Sequence, residues 1–345
     1  MKKSILFLLP ALLTAIIIES CSSSKASASK NPGEHRLAFY NVENLFDLED
    51  DPLTLDEEFT PSGKLQWTPE RYQTKLDHLA QVVEGMGFPA LLGLAEVENA
   101  KVLEDFRGKT VLKNQDYGIV HYDSPDLRGI DVALLFRKSI FKVLTSETIR
   151  IEYTPELLAE RPNDKTRDIL FVQGIFQKKD TLNVLIAHAP SRSGGQTETE
   201  PKRIFVARQI RKKADELFKR NPAANIVIMG DLNDEPTDPS VATALSAKGL
   251  AGPSAKSTLY DCFYQLDAAG KGSYRYRGNW NMLDHIILSG NLLDPVSRLY
   301  FSKPQIFQQD WMMYEDATYG KSPNRTYGGA RYFGGYSDHL PIFME

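Results

Sequence analysis

The run NIVIMGDLNDEP, from Asn225 to Pro236, passes directly from an apolar core segment into a cluster of acids and amides. Ile226, Val227, Ile228 and Met229 read as a strand buried on both faces, the continuous apolar kind used by parallel or sandwiched sheets. Gly230 ends it. Asp231, Asn233, Asp234 and Glu235 then crowd four oxygen-bearing side chains into one turn. Either this is a polar turn after a core strand, or something positive or reactive collects there.

The rest of the chain narrows the choice. Its 345 residues, 42% of them hydrophobic, suffice for one large α/β domain. A formal net charge of -4 excludes a chain drawn as a whole onto nucleic acid or anionic membrane, so any polyanion must be held by local groups. Lys2 and Lys3 precede an apolar run from Ile5 to Ile18, short for a membrane span but suited to a signal-peptide core. The following IIESCSSSK resembles a bacterial lipobox, with Glu19 unusual within it. The expectation is therefore a leader over 1–20, lipid on Cys21, a flexible Ser/Ala/Lys tether over 21–34 and one domain over 35–345. That predicts an exported bacterial protein, monomeric and lipid-anchored to the cell envelope, on the periplasmic or surface face of the outer membrane. With Cys21 lipidated, Cys262 has no partner, and LYDCFYQL surrounds it with core-type neighbours, which predicts a packed thiol.

Strands are predicted at RLAFYNV, ALLGLAEV, IDVALLFR, ILFVQGIF, TLNVLIAHA, NIVIMGD, LDHIILS and HLPIFME. Thr68 caps a helix with Pro69 in its first turn, and Tyr72, Leu76, Leu79, Val83 and Met86 recur at helical spacing before Gly87. A second helix carries Ile204, Ala207, Ile210, Ala214, Leu217 and Phe218 on one stripe, with Arg203, Arg208, Arg211, Lys212 and Lys213 on faces expected to be solvated. Asp238, Pro239 and Gly249 bracket a third. This order fits mixed sheets covered by helices better than a strictly alternating nucleotide fold, and no Gly-rich phosphate turn follows the first strand.

Several strands end on a polar residue. These are Asn41 in FYNVENLFD, Glu96 in LGLAEVEN, His188 in IAHAPSR, Asp231 and Asn233 in GDLND, Asp284 and His285 in LDHIILS, and Asp338 and His339 in YSDHLPI. Singly, each has a structural explanation; Asn41 can satisfy a turn, His188 can sit in a core, and either Asp-His pair can be a local hydrogen bond. Glu96 follows LLGLA, where an unpaired carboxylate is costly to bury, so a cation or donor is implied. Taken in order from about His35 to the last residue, the set resembles the endonuclease/exonuclease/phosphatase superfamily. That resemblance implies a DNase I-like, four-layer α/β/β/α sandwich of two mixed sheets.

The residues and the resemblance together define an expected site. Acids at one sheet rim repel by roughly 1–4 kcal/mol per close pair, which a divalent cation relieves. Oxygen ligands without paired cysteines favour Mg²⁺ or Mn²⁺, with Ca²⁺ as a third option. By resemblance, Glu96 binds the metal with Asn41 and Asp338 near it, Asp231 activates water, and Asn233 donates to the phosphate. Likewise His339, steered by Asp284, contacts phosphate or transfers a proton, and His188 stabilises charge. Glu98 is the rival for Glu96, which is preferred because it falls directly at the end of the apolar run. Arg128 in DLRGIDVALLFR pairs with Asp131 or meets a phosphate. Arg192 in PSRSGGQ sits on a loop able to close over substrate. Trp280 in SYRYRGNWNMLDH joins Tyr and Arg residues that either stack bases or alternate on a half-exposed strand. A nuclease acting on DNA or RNA is the first expectation, an inositol-phosphate phosphatase or sphingomyelin-type phospholipase C the second, and an inactive surface binding protein of the same fold the third.

Overall fold

The computed structural model describes Met1, residues 32–252 and residues 254–345. The segment expected to be a leader, Cys21 and most of the expected tether lie outside the described residues. Among the described residues no helix is long and apolar enough to cross a membrane.

Strands are numbered along the chain. One sheet runs β14 (Gln305–Ile306), β19 (Ile342–Met344), β1 (Leu37–Leu45), β2 (Leu91–Val97), β4 (Asp131–Arg137), β3 (Tyr117–His121). The other runs β5 (Phe141–Ile149), β6 (Ile169–Phe176), β7 (Asp180–His188), β8 (Ile226–Asp231), β13 (Asp284–Ser289), β10 (Leu259–Asp261), β9 (Lys248–Gly249). Both are mixed, with β1/β2 and β7/β8 parallel and most other neighbours antiparallel. Three small hairpins stand apart: β11 (Tyr274–Tyr276) with β12 (Asn279–Asn281), β15 (Met313–Asp316) with β16 (Gly320–Pro323), and β17 (Tyr327–Gly328) with β18 (Arg331–Tyr332).

Alternation along each strand sorts the residues into layers. Leu37, Phe39, Leu91 and Leu134 of the first sheet meet Val184, Ile186, Val227, Met229 and Ile286 of the second. Their neighbours Ala38, Tyr40, Leu92 and Leu94 face outward onto α1 (Pro69–Gly85) and α2 (Ala100–Lys109). On the far side, Leu185, Ile226, Ile228 and Ile287 face α3 (Gln196–Arg220). The result is the expected four-layer sandwich; α4 (Tyr264–Ala268) is a short turn beside it. Where the sheets approach closely, Gly93 is required, since a Cβ there would fall 2.5 Å from the Met229 sulfur.

The eight predicted strand segments all contain strands, and Thr68 caps α1 by accepting from the Arg71 N–H. HLPIFME is strand only from Ile342, because Pro341 has no N–H to offer a ladder. Strand β5 was not among those predicted, since it lies at a sheet edge and its exposed polar residues lack an apolar pattern. Arg203 also departs from expectation, being buried within α3 rather than solvated.

Neither Asp-His pair is local: Asp284 and His285 are neighbours on β13 and point to opposite faces, while Asp338 pairs with Arg325 and His339 with Asp284. His285 faces away from the inter-sheet core, with Nδ1 2.8 Å from Asp261 Oδ2 and Nε2 2.8 Å from the Asp234 carbonyl oxygen. Burial alone would depress its pKa, but the Asp261 carboxylate and that carbonyl outweigh burial and raise it to about 9. The raised pKa makes the ion pair's contribution complete below the ordinary histidine value of 6.5 and lost as pH rises through about 9. Melting temperatures of wild type and Asp261→Asn measured from pH 6 to 10 test this. The gap between them is expected to be constant at the acid end and to shrink toward pH 9; a gap independent of pH refutes the charged pair.

Candidate active site

The alternation that builds the core also aims the polar strand ends. Asn41, His188, Asp231 and Asp284 have the same parity as Phe39, Ile186, Met229 and Ile286, so each continues the inter-sheet layer to its rim. Register then sets them side by side. His188 pairs with Asp231 across β7/β8, and Asp231 with Asp284 across β8/β13. From the other sheet, Asn41 Nδ2 donates to Asp231 Oδ2 at 3.0 Å and to Glu96 Oε1 at 3.3 Å.

Glu96 has the wrong parity for this layer, and two adjacent irregularities correct it. The β2 register shifts between Ala95 and Val97, with Glu96 at φ 63°, while β1 shifts between Asn41 and Leu45, with Glu43 and Asn44 at φ 52° and 54°. Left-handed backbone at non-glycine residues costs on the order of 1–3 kcal/mol each and is sustained only where surrounding contacts impose it. Here Asn44 N–H donates to Glu96 Oε2 at 3.0 Å. Glu98, the rival acid, points elsewhere and accepts from the Asp47 N–H at 2.5 Å.

The C-terminal segment completes the rim. Ser337 Oγ donates to the Asn41 carbonyl at 2.7 Å and accepts the His339 N–H at 3.1 Å. His339 Nδ1 lies 2.7 Å from Asp284 Oδ2, its Nε2 lies 3.7 Å from Asp231 Oδ2, and Tyr274 packs on its ring at 4.8 Å. Asp338 Oδ2 accepts from Arg325 Nη2 at 3.0 Å.

Two buried imidazoles in this site have opposite character. Burial, with Arg167 and Arg128 nearby, holds the His188 pKa well below normal, so His188 is neutral. Its Nε2 lies 3.6 Å from Asp231 Oδ2 and 3.8 Å from Glu96 Oε1, and its Nδ1 is buried without a hydrogen-bond partner. For His339, burial is outweighed by the Asp284 and Asp231 carboxylates, which raise its pKa well above normal. Asp231 itself is raised, chiefly by burial and partly by Asp284, against the lowering effect first of the His339 charge and then of Asn41 and the Asn233 N–H at 2.9 Å. Raised carboxyl affinity for protons is what a general base near neutral pH requires.

These groups open into a cavity of about 590 Å³, lined by Glu96, His188, Asp231, Asn233, Asp338 and His339, with Arg128, Arg167, Arg192, Ser191, Ser193, Tyr274 and Tyr276 on its walls. Arg128 reaches Asn44 Oδ1 at 3.2 Å and leaves Asp131 to His121, whose Nε2 is 3.1 Å away, so the Arg128–Asp131 alternative does not form. Arg192 is committed to structure on its cavity wall. Its Nε donates to the Asn233 carbonyl at 2.7 Å and its Nη2 to Asp238 at 2.6 Å. Asn233 uses its amide N–H on the Ala189 carbonyl at 3.1 Å.

Trp280 does not line this cavity; it lines a separate cleft with Leu266 and Ile306. The reason is again parity. Tyr274 and Tyr276 share one face of β11, and Arg275, paired with Trp280 across the hairpin, takes the other, its guanidinium carbon 5.4 Å from the indole. The two tyrosines were therefore legible in the alternation of SYRYR, whereas Arg167 gave no sequence signal.

Glu96, Asp231 and Asp338 bring three carboxylates to the cavity, with Asp284 held against His339, and they face the raised imidazole of His339 and the guanidiniums of Arg128, Arg167 and Arg192. Asp284 Oδ1 is buried without a partner. Among the described residues, Asp231, Asp284 and His339 form one group able to converge on an ion, and His121, Asp123 and Asp131 another. Asp284 and His339 already share a short hydrogen bond, so that pair orients the imidazole, while Glu96 and Asp338 offer carboxylate oxygen to the cavity. Asn41 stands behind Glu96 as a hydrogen-bonded bridge. A hard divalent cation fits this all-oxygen, electron-rich donor set.

Residues 36–345 match the family model described as "Endonuclease/Exonuclease/phosphatase family". Among solved structures, the chain is similar to a mannosyl-6-phosphatase of Bacteroides thetaiotaomicron (16% identity, TM-score 0.55, covering 90% of this chain and 98% of that one). It is similar also to the human Nocturnin catalytic domain with bound sulfate (15%, 0.53, 90% and 92%) and to truncated Caenorhabditis elegans TDP2 (18%, 0.52, 80% and 91%). At such identities these likenesses speak for the fold. No curated protein matches by sequence. With the family model spanning nearly the whole described domain, this chain belongs to the endonuclease/exonuclease/phosphatase family and is a metal-dependent phosphoric ester hydrolase of DNase I-like fold.

Proposed function

We propose that this protein hydrolyses phosphate esters whose organic part is small enough to enter the cavity, such as a sugar phosphate or a nucleotide, using Mg²⁺ or Mn²⁺ from a lipid-tethered position in the cell envelope. The observation that carries this reading is the cavity itself. Its volume of about 590 Å³ suits a small ligand, and its lining includes Tyr274 and Tyr276 together with Ser191, Arg192 and Ser193. The Arg275 and Trp280 side chains, which favoured a bound nucleic-acid strand, face away from it.

Glu96 and Asp338 would hold the cation, whose Lewis acidity would polarise a phosphate oxygen and offset its charge. Asp231, gripped by Asn41 Nδ2 and the Asn233 N–H, accepts a proton from the attacking water. His339 presents Nε2–H to the phosphate while Asp284 holds Nδ1. His188, neutral, donates from Nε2 without adding charge beside Asp231 and Glu96. Arg128 meets the negative phosphate at the rim. Water attack is direct, so inversion at phosphorus is expected and no covalent intermediate forms.

A second reading, a nuclease working from strand ends, is favoured by the tyrosine pair, since aromatic faces stack bases. EDTA-stripped protein resupplied with Mg²⁺ separates the readings on a panel of sugar phosphates, mononucleotides, inositol phosphates, sphingomyelin, linear oligonucleotides and supercoiled plasmid. Turnover of the small esters with intact plasmid is the expected result. Internal nicking of plasmid at comparable kcat/KM rejects the small-ester reading.

A further inference from the structure

Behind Asp338, on the helix side of the first sheet, lies a chain of charges that the catalytic reading leaves unused. A regular β1 would aim Glu43 beside Asn41, because the two share parity. The left-handed backbone at Glu43 and Asn44 instead turns Glu43 into a buried position, where Oε2 accepts the Thr326 N–H at 2.7 Å and Oε1 lies 3.5 Å from Arg325 Nε. Lys75, on α1 and 1% exposed, donates to Thr326 Oγ1 and to the Tyr336 carbonyl, both at 2.7 Å. Glu43 and Lys75 therefore grip the same residue, Thr326, from two sides, and fix the loop that presents Arg325. Arg325 then holds Asp338 Oδ2 at 3.0 Å.

We propose that Arg325 is a positioning residue for Asp338, anchored through Glu43, Thr326 and Lys75, and that it sets the carboxylate rotamer presented to the divalent cation. The backbone of Asp338 is already fixed through Ser337 and His339, so the side-chain torsion is the remaining freedom, and Arg325 removes it. Two arguments distinguish this from simple charge balance. A cation placed only for its charge would oppose a divalent ion bound a few ångströms away, and its removal would tighten metal binding. A guanidinium spanning Glu43 and Asp338 acts by geometry, and outer partners of ligating carboxylates typically change metal affinity by about 10–100-fold when removed.

This inference rests on the proposed function in one respect, the placement of Asp338 beside the cation. The test is Mg²⁺ titration of EDTA-stripped protein by isothermal calorimetry, with thermal melts as the control for folding. Arg325→Ala is expected to weaken Mg²⁺ about tenfold or more with a near-wild-type melt, because the side chain is partly exposed. Arg325→Lys, which keeps charge but cannot span both acids, is expected to fall between. The double variant Glu43→Gln/Lys75→Met, which removes the buried charges together, is expected to weaken Mg²⁺ like Arg325→Ala. Unchanged or tighter binding in Arg325→Ala overturns the proposal. Asp338→Ala separates the two levels: if it abolishes tight binding while Arg325→Ala does not, only the positioning role fails. If Asp338→Ala also leaves binding unchanged, the placement of the cation fails with it.

Discussion

Asp231→Asn is expected to lower kcat by about 10³–10⁴-fold, the upper range for loss of a general base, while leaving KM within a few-fold of wild type. The amide would keep the side-chain volume and the hydrogen bond from the Asn233 N–H, so the change removes basicity and the one hydrogen bond that Oδ2 accepts from Asn41 Nδ2. The same substitution is expected to leave the melting temperature of the metal-free protein unchanged or raised. Asp231 is buried beside Asp284 with its pKa pushed upward, which means that its charged form is held at a cost in the folded state. Steady-state kinetics and a thermal melt on one preparation check both parts. A loss below tenfold removes Asp231 from the proton transfer; a large fall in melting temperature makes its role structural.

Arg203→Leu is expected to destabilise the fold by about 3–5 kcal/mol, the usual consequence of leaving one buried charge unpaired. Arg203 Nε lies 2.8 Å from Asp234 Oδ1, and its Nη atoms donate to Thr199 Oγ1 at 2.6 Å and to the Gln196 carbonyl at 2.7 Å. Asp234 is fully buried, and its other oxygen accepts from Ser240 Oγ at 2.7 Å. Without Arg203, the nearest cation is Arg192 Nη2 at 3.4 Å, already engaged with Asp238 at 2.6 Å. Adding Asp234→Asn to Arg203→Leu is expected to recover a large part of the loss, because the uncompensated charge disappears with it. Urea unfolding of the single and double variants measures this. A single-variant loss under 1 kcal/mol contradicts the buried ion pair.

Much of this protein is written locally. Continuous apolar runs ending on polar residues, the Thr68-Pro69 helix start and the 3.6-residue stripe of α1 fix element types from nearest-neighbour physics. The positions of Asn41, His188, Asp231 and Asp284 at the inter-sheet rim follow from period-2 alternation counted along their own strands, so they too were legible. Edge strand β5 was not, since a strand with one neighbour and exposed faces carries no apolar pattern.

The tertiary structure decided whatever depends on two distant segments meeting. Asp284 takes His339 rather than its neighbour His285, Arg203 finds Asp234 across a helix and a loop, and Asp131 takes His121 instead of Arg128. Glu96 enters the site only because bulges in two adjacent strands reverse its parity, and Glu43 leaves it for the same reason. Alternation along the chain determines which face a regular strand presents. It does not reveal where the chain breaks its own period, because a bulge is held by contacts from outside the strand, here the Asn44 N–H on Glu96 and the Thr326 N–H on Glu43.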